Sequence, residues 1–337
     1  MNFFIRHRFL ILIPSLFCAS PLVPAAPQPQ YLPEKVEVLL AEHFVNAEVG
    51  WVVGSEGAIY KTADGGMTWI AQSGGTTESL NAVWFLGTDT GWAVGNGGLI
   101  LKTINGGADW EKLSEGVYPH LYSVQFLNAK FGNAAGRDGT ILSTRDGGEH
   151  WVVRKSGTSD YLRAIRFADE NTGWAVGYHG TILKSMDGGR TWAHKDGGTP
   201  WTLNAIHFTD GKTGWVAGYH GTILKTMDGG ETWASQWSRT AGTLNSISFS
   251  GAGTDTGWAV GAGGILLKTA DGGAAWADQY SETTLNLYAV QFMAGGSGWA
   301  VGRKGLILKY PGAFMRVSSP SLRIDQGLST GRGLSEK

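Results

Sequence analysis

A seven-bladed β-propeller is the fold this sequence predicts, an all-β ring of four-stranded antiparallel blades. Three observations predict it. A five-residue motif recurs at a near-constant interval: GWVVG at Gly50, GWAVG at Gly91, GNAAG at Gly132, GWAVG at Gly173, GWVAG at Gly214, and GWAVG at Gly257 and Gly298. Successive copies lie 41 residues apart except the pair Gly214 and Gly257, which lie 43 apart. A fixed period of this size is the mark of a repeat architecture. Within each period stand four short segments bounded by Gly, Asp and Asn, most of them rich in β-branched and aromatic residues, with no helical periodicity in any longer window. The connections between them are too short for anything but antiparallel neighbours. Four strands per period match one propeller blade, and seven copies close a ring that leaves no free sheet edge.

The elements follow in order within each repeat. The first strand is L-x-A-[VI]-x-F, as in Leu80 to Phe85 and Leu162 to Phe167; the second is the GW motif; the third is G-x-ILKT, as in Gly221 to Thr226. The fourth starts at the Trp of DGG-x-x-W and runs into a Gly/Ser/Thr-rich link. Blades accordingly begin near residues 39, 80, 121, 162, 203, 244 and 287. The seventh lacks DGG-x-x-W and has Tyr310-Pro311-Gly312 in its place, so its outer strand must come from elsewhere. The spacing of 16 residues from Trp69 to Phe85, counted back from Phe44, lands on Gln28. Residues 28–36 are therefore the favoured closing strand, with Phe314 to Ser318 as the rival.

The turn between strands three and four reads [ST]-x-[DN]-x-G-x-x-W in six copies, with Asp64, Asn105, Asp146, Asp187, Asp228 and Asp271 at its centre. This is the Asp-box, or bacterial neuraminidase repeat. The Asp side chain is expected to accept backbone N–H bonds inside the turn. A calcium reading is disfavoured, because such a loop needs several oxygen ligands at alternate positions and DGG offers one carboxylate.

Residues 1–25 read as a secretory signal. Arg6, His7 and Arg8 precede the apolar run Phe9 to Ala19, which is too short to span a bilayer, and Val23 and Ala25 suit cleavage after Ala25. Cys18, the one cysteine of the sequence, falls inside this segment, and Phe17 before it argues against a lipoprotein. The propeller is assigned to 26–318 and a Ser-, Gly- and Arg-rich disordered tail to 319–337. No further segment is apolar enough to cross a membrane. The charge balance, 27 basic against 28 acidic residues, gives no case for nucleic acid.

Blade topology puts the turns between strands two and three and the links between blades on one face of the disc. That face varies where the Asp-box face is monotonous. Its turns carry Ser55-Glu56, Asn96-Gly97, Arg137-Asp138, Tyr178-His179, Tyr219-His220, Ala262-Gly263 and Arg303-Lys304. Trp201 and Trp237 are extra to the repeat template and fall on links beside the Tyr-His turns, with Arg239 near. Tyr178, His179, Trp201, Tyr219, His220, Trp237 and Arg239 are thus the candidate partner-binding residues, being of the types that dominate interfaces; duplication of one blade from another is the competing reading of the Tyr-His pairs. A zinc site on the two His lacks a third ligand. Arg137, Arg154, Arg163 and Arg166 form a second, basic candidate patch, interspersed with acids. The penultimate residue of strand one, His43, Trp84, Gln125, Arg166, His207, Ser248 or Gln291, is expected to line the central channel.

GWAVG, G-x-ILKT and DGG-x-x-W at this period make the chain, over about residues 28 to 310, resemble the photosystem II stability/assembly factor-like family of seven-bladed Asp-box propellers. The resemblance implies a non-enzymatic protein without cofactor or catalytic metal. It implies photosystem II assembly if the source is photosynthetic, and an unassigned partner if it is not. The expected function is an exported, monomeric interaction scaffold for a membrane-associated protein complex, on the periplasmic side or that of the thylakoid lumen. A carbohydrate- or small-ligand-binding propeller is the alternative. A sialidase-type glycosidase is less favoured, because the R-I-P stretch of such enzymes is absent and Asp-boxes are scaffold rather than chemistry.

Overall fold

The computed structural model describes residues 27–32, 36–114, 117–250 and 255–310. They form seven four-stranded antiparallel sheets. The strands nearest the axis are Leu39–Phe44, Leu80–Leu86, Leu121–Phe126, Leu162–Phe167, Leu203–Phe208, Leu244–Phe249 and Leu287–Phe292. In blades one to six each of these is followed outward by the GW strand, the ILKT-type strand and a short exposed outer strand. The seventh blade is completed by the N-terminal strand Gln28–Tyr31, which runs antiparallel to Leu306–Tyr310 with Gln28 opposite Lys309 and Tyr31 opposite Leu306. Leu32 N donates to Gly305 O at 3.3 Å and Lys304 N to Glu37 O at 2.6 Å, extending the seam. The rival closing segment Phe314 to Ser318, the N-terminal segment read as a secretory signal and residues 319–337 lie outside the described residues.

Each blade packs on the next through aromatic rings. The Trp of one GW strand stacks on the inner-strand Phe of the following blade. Trp51 lies 3.5 Å from Phe85 with 6° between planes, Trp92 3.5 Å from Phe126, and Trp299 3.6 Å from Phe44 across the closure. The Asp-box Trp then meets the same Phe edge-on, as Trp110 does Phe85 at 5.8 Å. The indole N–H of the stacked Trp donates to a glycine carbonyl of the neighbouring Asp-box, Trp51 to Gly106 at 3.2 Å and Trp92 to Gly147 at 3.0 Å. Glycine opens the GW motif because the Phe ring fills the space beside it: a Cβ on Gly91 would sit 2.4 Å from the Phe85 ring.

Blade three departs from this plan. Asn133 replaces the Trp, and Phe167 of blade four meets Phe131 edge-on at 5.5 Å instead. The buried Asn133 carboxamide oxygen accepts from Ser143 Oγ at 2.8 Å, and Ser143 in turn replaces the Lys of the third strand, so the two polar substitutions satisfy each other. In blade seven Tyr310 takes the place of the Asp-box Trp against Phe292, at 5.2 Å.

Every inner strand carries a register shift after its first residue, as between Leu80 and Ala82 and between Leu162 and Ala164. Such a bulge re-aims the residue inside it. Asn81, Asn204 and Asn245 use that aim to donate to the Leu carbonyl that opens the next inner strand, at 2.8 to 2.9 Å.

In the Asp-box turn the threonine contributes as much as the aspartate. Thr144 Oγ1 donates to Asp146 Oδ1 at 2.7 Å and accepts from Gly148 N at 3.0 Å; Asp146 Oδ1 also accepts from His150 N at 3.0 Å. Similar bonds hold Asp187 at about 2, below its usual carboxylate value, with the Thr191 hydroxyl as the largest cause. Thr144 is buried, and truncating its hydroxyl leaves the buried Gly148 N–H without its acceptor. Thr144→Val is therefore expected to lower stability by roughly 1–3 kcal/mol, read as a denaturant midpoint.

Glu42 is the one departure at a position that Val83, Val124, Ile165, Ile206, Ile247 and Val290 fill in the other blades. It stands at the closure seam. Burial pushes its carboxyl well above 4.5, and its Oε2 has no hydrogen-bond partner. A carboxyl whose value is raised by folding contributes most below its unfolded value and costs stability as pH rises toward its folded one. Glu42→Val is expected to raise the melting temperature, and by more at pH 8 than at pH 5.

Candidate functional site

The variable face owes its variety to a division between backbone and side chain. The turns Arg137–Gly139, Tyr178–Gly180 and Tyr219–Gly221 share one conformation with the turns of the other blades. The first residue of each donates its N–H to the residue just before the inner strand: Arg137 to His120 O at 2.8 Å, Tyr178 to Tyr161 O at 3.0 Å and Tyr219 to Thr202 O at 2.9 Å. The second residue sits at positive φ, at 51° for His179 and 54° for His220, where blades two and six use Gly97 and Gly263. Glycine is the low-strain choice there. The backbone thus needs nothing of the Tyr, His and Arg side chains, which are free to serve a surface.

Over blades three and four the two sequence-predicted patches merge into one ladder of aromatic and guanidinium groups. The Tyr161 ring lies 4.9 Å from Tyr178 and 6.4 Å from Tyr122. Arg137 covers Tyr161 at 5.2 Å, and Arg163 covers Tyr122 at 4.8 Å. These are cation–π distances, which help hold the arginines in place, and Arg137 Nε also lies 3.5 Å from Asp138 Oδ1. His179 Nδ1 meets Asp160 Oδ1 at 2.8 Å, and Thr181 Oγ1 donates to Asp160 Oδ2 at 2.6 Å. Along the next links Trp201 packs on His220 with 4.0 Å between centroids, and Arg239 covers Trp237 at 5.1 Å. Trp237 keeps 76% of its surface exposed, Trp201 45% and Tyr219 42%.

Two of the predicted arginines do not join this ladder. Arg154 ends the outer strand Val152–Arg154. Arg166 projects into the central channel, over the Trp84 ring at 5.0 Å. Tyr122 is a ladder residue that sequence reasoning missed, although its position in the bulge of the inner strand, where Asn stands in three other blades, was the available clue. The opposite face is less bare than its repeats suggest: Met67, Ile104, Met186 and Met227 are exposed at the Asp-box turns. Among the described residues no group of three or more His, Cys, Asp or Glu side chains is placed to hold a metal ion. No helix among them is long and apolar enough to cross a membrane.

The fold and its face define a seven-bladed Asp-box propeller with an aromatic and arginine-rich surface on one side of the disc. The chain belongs to the family of the photosynthesis system II assembly factor YCF48, whose model matches residues 28–118, 115–194, 196–285 and 254–311. Among solved structures, YCF48 bound to D1 peptide is similar with a TM-score of 0.73 and 22% identity, covering 86% of this chain and 98% of that one. YCF48 from Cyanidioschyzon merolae has a TM-score of 0.70 and 23% identity, over 85% and 98%. The WD40 propeller domain of Doa1 has a TM-score of 0.70 at 11% identity, over 86% and 97%. No curated protein matches the chain in sequence.

Proposed function

We propose that the chain is a non-enzymatic interaction scaffold, exported by its N-terminal segment, that holds a peptide segment of a membrane-complex protein on the variable face. The observation that carries this reading is the ladder of Arg163, Tyr122, Tyr161, Arg137 and Tyr178, continued by the exposed Trp201 and Trp237. Tyr, Trp and Arg are the residues that dominate binding energy at interfaces. They bring large rigid area at low entropic cost, and guanidinium groups pre-placed over rings recognise carboxylates and carbonyls without first being ordered. Membership of the YCF48 family supports an assembly role, and the peptide held by one similar propeller supports a peptide as the kind of partner. Photosystem II assembly is the form this function takes in a photosynthetic source, with the protein on the lumenal side of the membrane; elsewhere the same face serves another membrane complex from the periplasm.

Substitutions that spare the fold test this reading. Glycine already occupies the His179 and His220 positions in blades two and six, so His179→Gly and His220→Gly keep the turn. Combined with Arg137→Ala, Tyr178→Ala and Trp201→Ala, they are expected to leave melting within a few degrees of wild type. They should weaken capture of the partner from the native membrane fraction by at least about 30-fold in affinity. Equal capture by both proteins moves the site off this face. No capture by the wild type, with glycan binding that the combined variant loses, replaces the protein partner with a carbohydrate.

A further inference from the structure

The inner strands of neighbouring blades are not paired with one another, so their inward backbone groups need side-chain partners. At the penultimate position of the inner strand, Gln125 accepts from Phe167 N at 2.6 Å and Gln291 from Phe44 N at 2.8 Å, each also donating to the same residue's carbonyl. Ser248 accepts from Phe292 N at 3.3 Å, and His43 Nδ1 from Phe85 N at 3.3 Å. Trp84, Arg166 and His207 occupy the same position without such a bond among the described residues. They face a cavity of about 550 Å³ along the axis, which lies within the roughly 300–1,000 Å³ of small-molecule sites.

Arg166 is the unusual member. Its guanidinium lies over Trp84, and it forms no hydrogen bond or ion pair with a described residue. Burial lowers it to about 10, so it remains a cation at neutral pH. Neither acid of the cavity wall pairs with it: burial raises the Glu42 carboxyl well above its ordinary value, and Asp210 spends one oxygen on the backbone N–H groups of Lys212 and Thr213, both at 2.6 Å. His43, packed on Trp84 at 4.3 Å, and His207 are both depressed to about 3 by burial and then by the Arg166 charge, so both rings are neutral. With Nδ1 of His43 accepting from backbone, its proton sits on Nε2 and makes a second donor. A half-buried guanidinium that faces the cavity with unfilled donors has a planar carboxylate as its geometric complement.

We propose that the central channel is a binding site for a small organic carboxylate, anchored by the Arg166 guanidinium with its apolar body against Ala82, Ala164 and Ala205. The site is separate from the interaction face and does not rest on the function assigned to it. Titration calorimetry of the full chain with sodium benzoate, against methyl benzoate and sodium chloride, is the test. Saturable one-to-one binding of benzoate and none of the ester is expected. Arg166→Gln should weaken it at least about 30-fold while melting no lower than wild type, since it removes an unpaired cation. A free acid and the end of a peptide present the same group; tighter binding of benzoate than of a tripeptide with a free C-terminus assigns the site to free acids, and the reverse order to chain ends. No binding of either carboxylate, equal binding of the ester, or unchanged affinity in Arg166→Gln overturns the site. If Arg166→Gln does not fold, Arg166→Lys, which keeps the charge and loses the planar fork, is expected to bind more weakly than wild type, and the ester comparison on wild type decides independently.

Discussion

The stack of a tryptophan in one blade on a phenylalanine in the next is the interaction on which the ring depends. It joins elements that the backbone leaves unjoined, because hydrogen-bonded sheets end at each blade boundary. The stack buries both rings fully, at 0% exposure for Trp51 and 2% for Phe85. It also fixes relative rotation, since the indole N–H must meet a glycine carbonyl of the neighbouring Asp-box. That carbonyl is in place because the Thr and Asp side chains hold the turn. The repeated Asp therefore acts on the ring in three steps: it positions a turn, the turn positions a carbonyl, and the carbonyl orients the ring that spaces the blades.

Where the repeat is broken, the breaks are paired. Asn133 and Ser143 substitute together in blade three, and Tyr310 stands where blade seven has no Asp-box. Around the axis the same economy divides the inner-strand side chains. Some clamp the next blade through its backbone, as Gln125 and Gln291 do, and the rest are released to the channel. Glu42 answers to neither use. It is a carboxyl at an aliphatic position, on the seam where the chain closes on itself.

In the turns of blades three, four and five the first residue bonds the neighbouring link through its main chain, so the Arg137, Tyr178 and Tyr219 side chains are not fixed by that turn. The arginines and tyrosines over blades three and four hold one another by ring contacts, which pre-orders this surface. The positive φ at His179 and His220 is a small strain that glycine avoids in sister blades.

The period of 41 residues, the four segments and the Asp-box turn were legible in the sequence because each is a local pattern, set by the spacing of Gly, Trp and β-branched residues within a few tens of positions. The closing strand followed from the same spacing, counted back from Phe44 to Gln28. What the repeat does not encode is proximity between repeats. Tyr122, Tyr161, Tyr178, Arg137 and Arg163 are spread over about one and a half periods, and their meeting in one ladder depends on the bulge that turns the second inner-strand residue and on the angle between blades. Arg166 lies three residues from Arg163 and reads as part of the same basic patch, yet strand pleat and bulge send one to the surface ladder and the other to the channel. The sequence by itself determined the unit and its number, because the unit is built from near neighbours. Only the tertiary structure decided which side chains share a surface, because that depends on the closure of the ring.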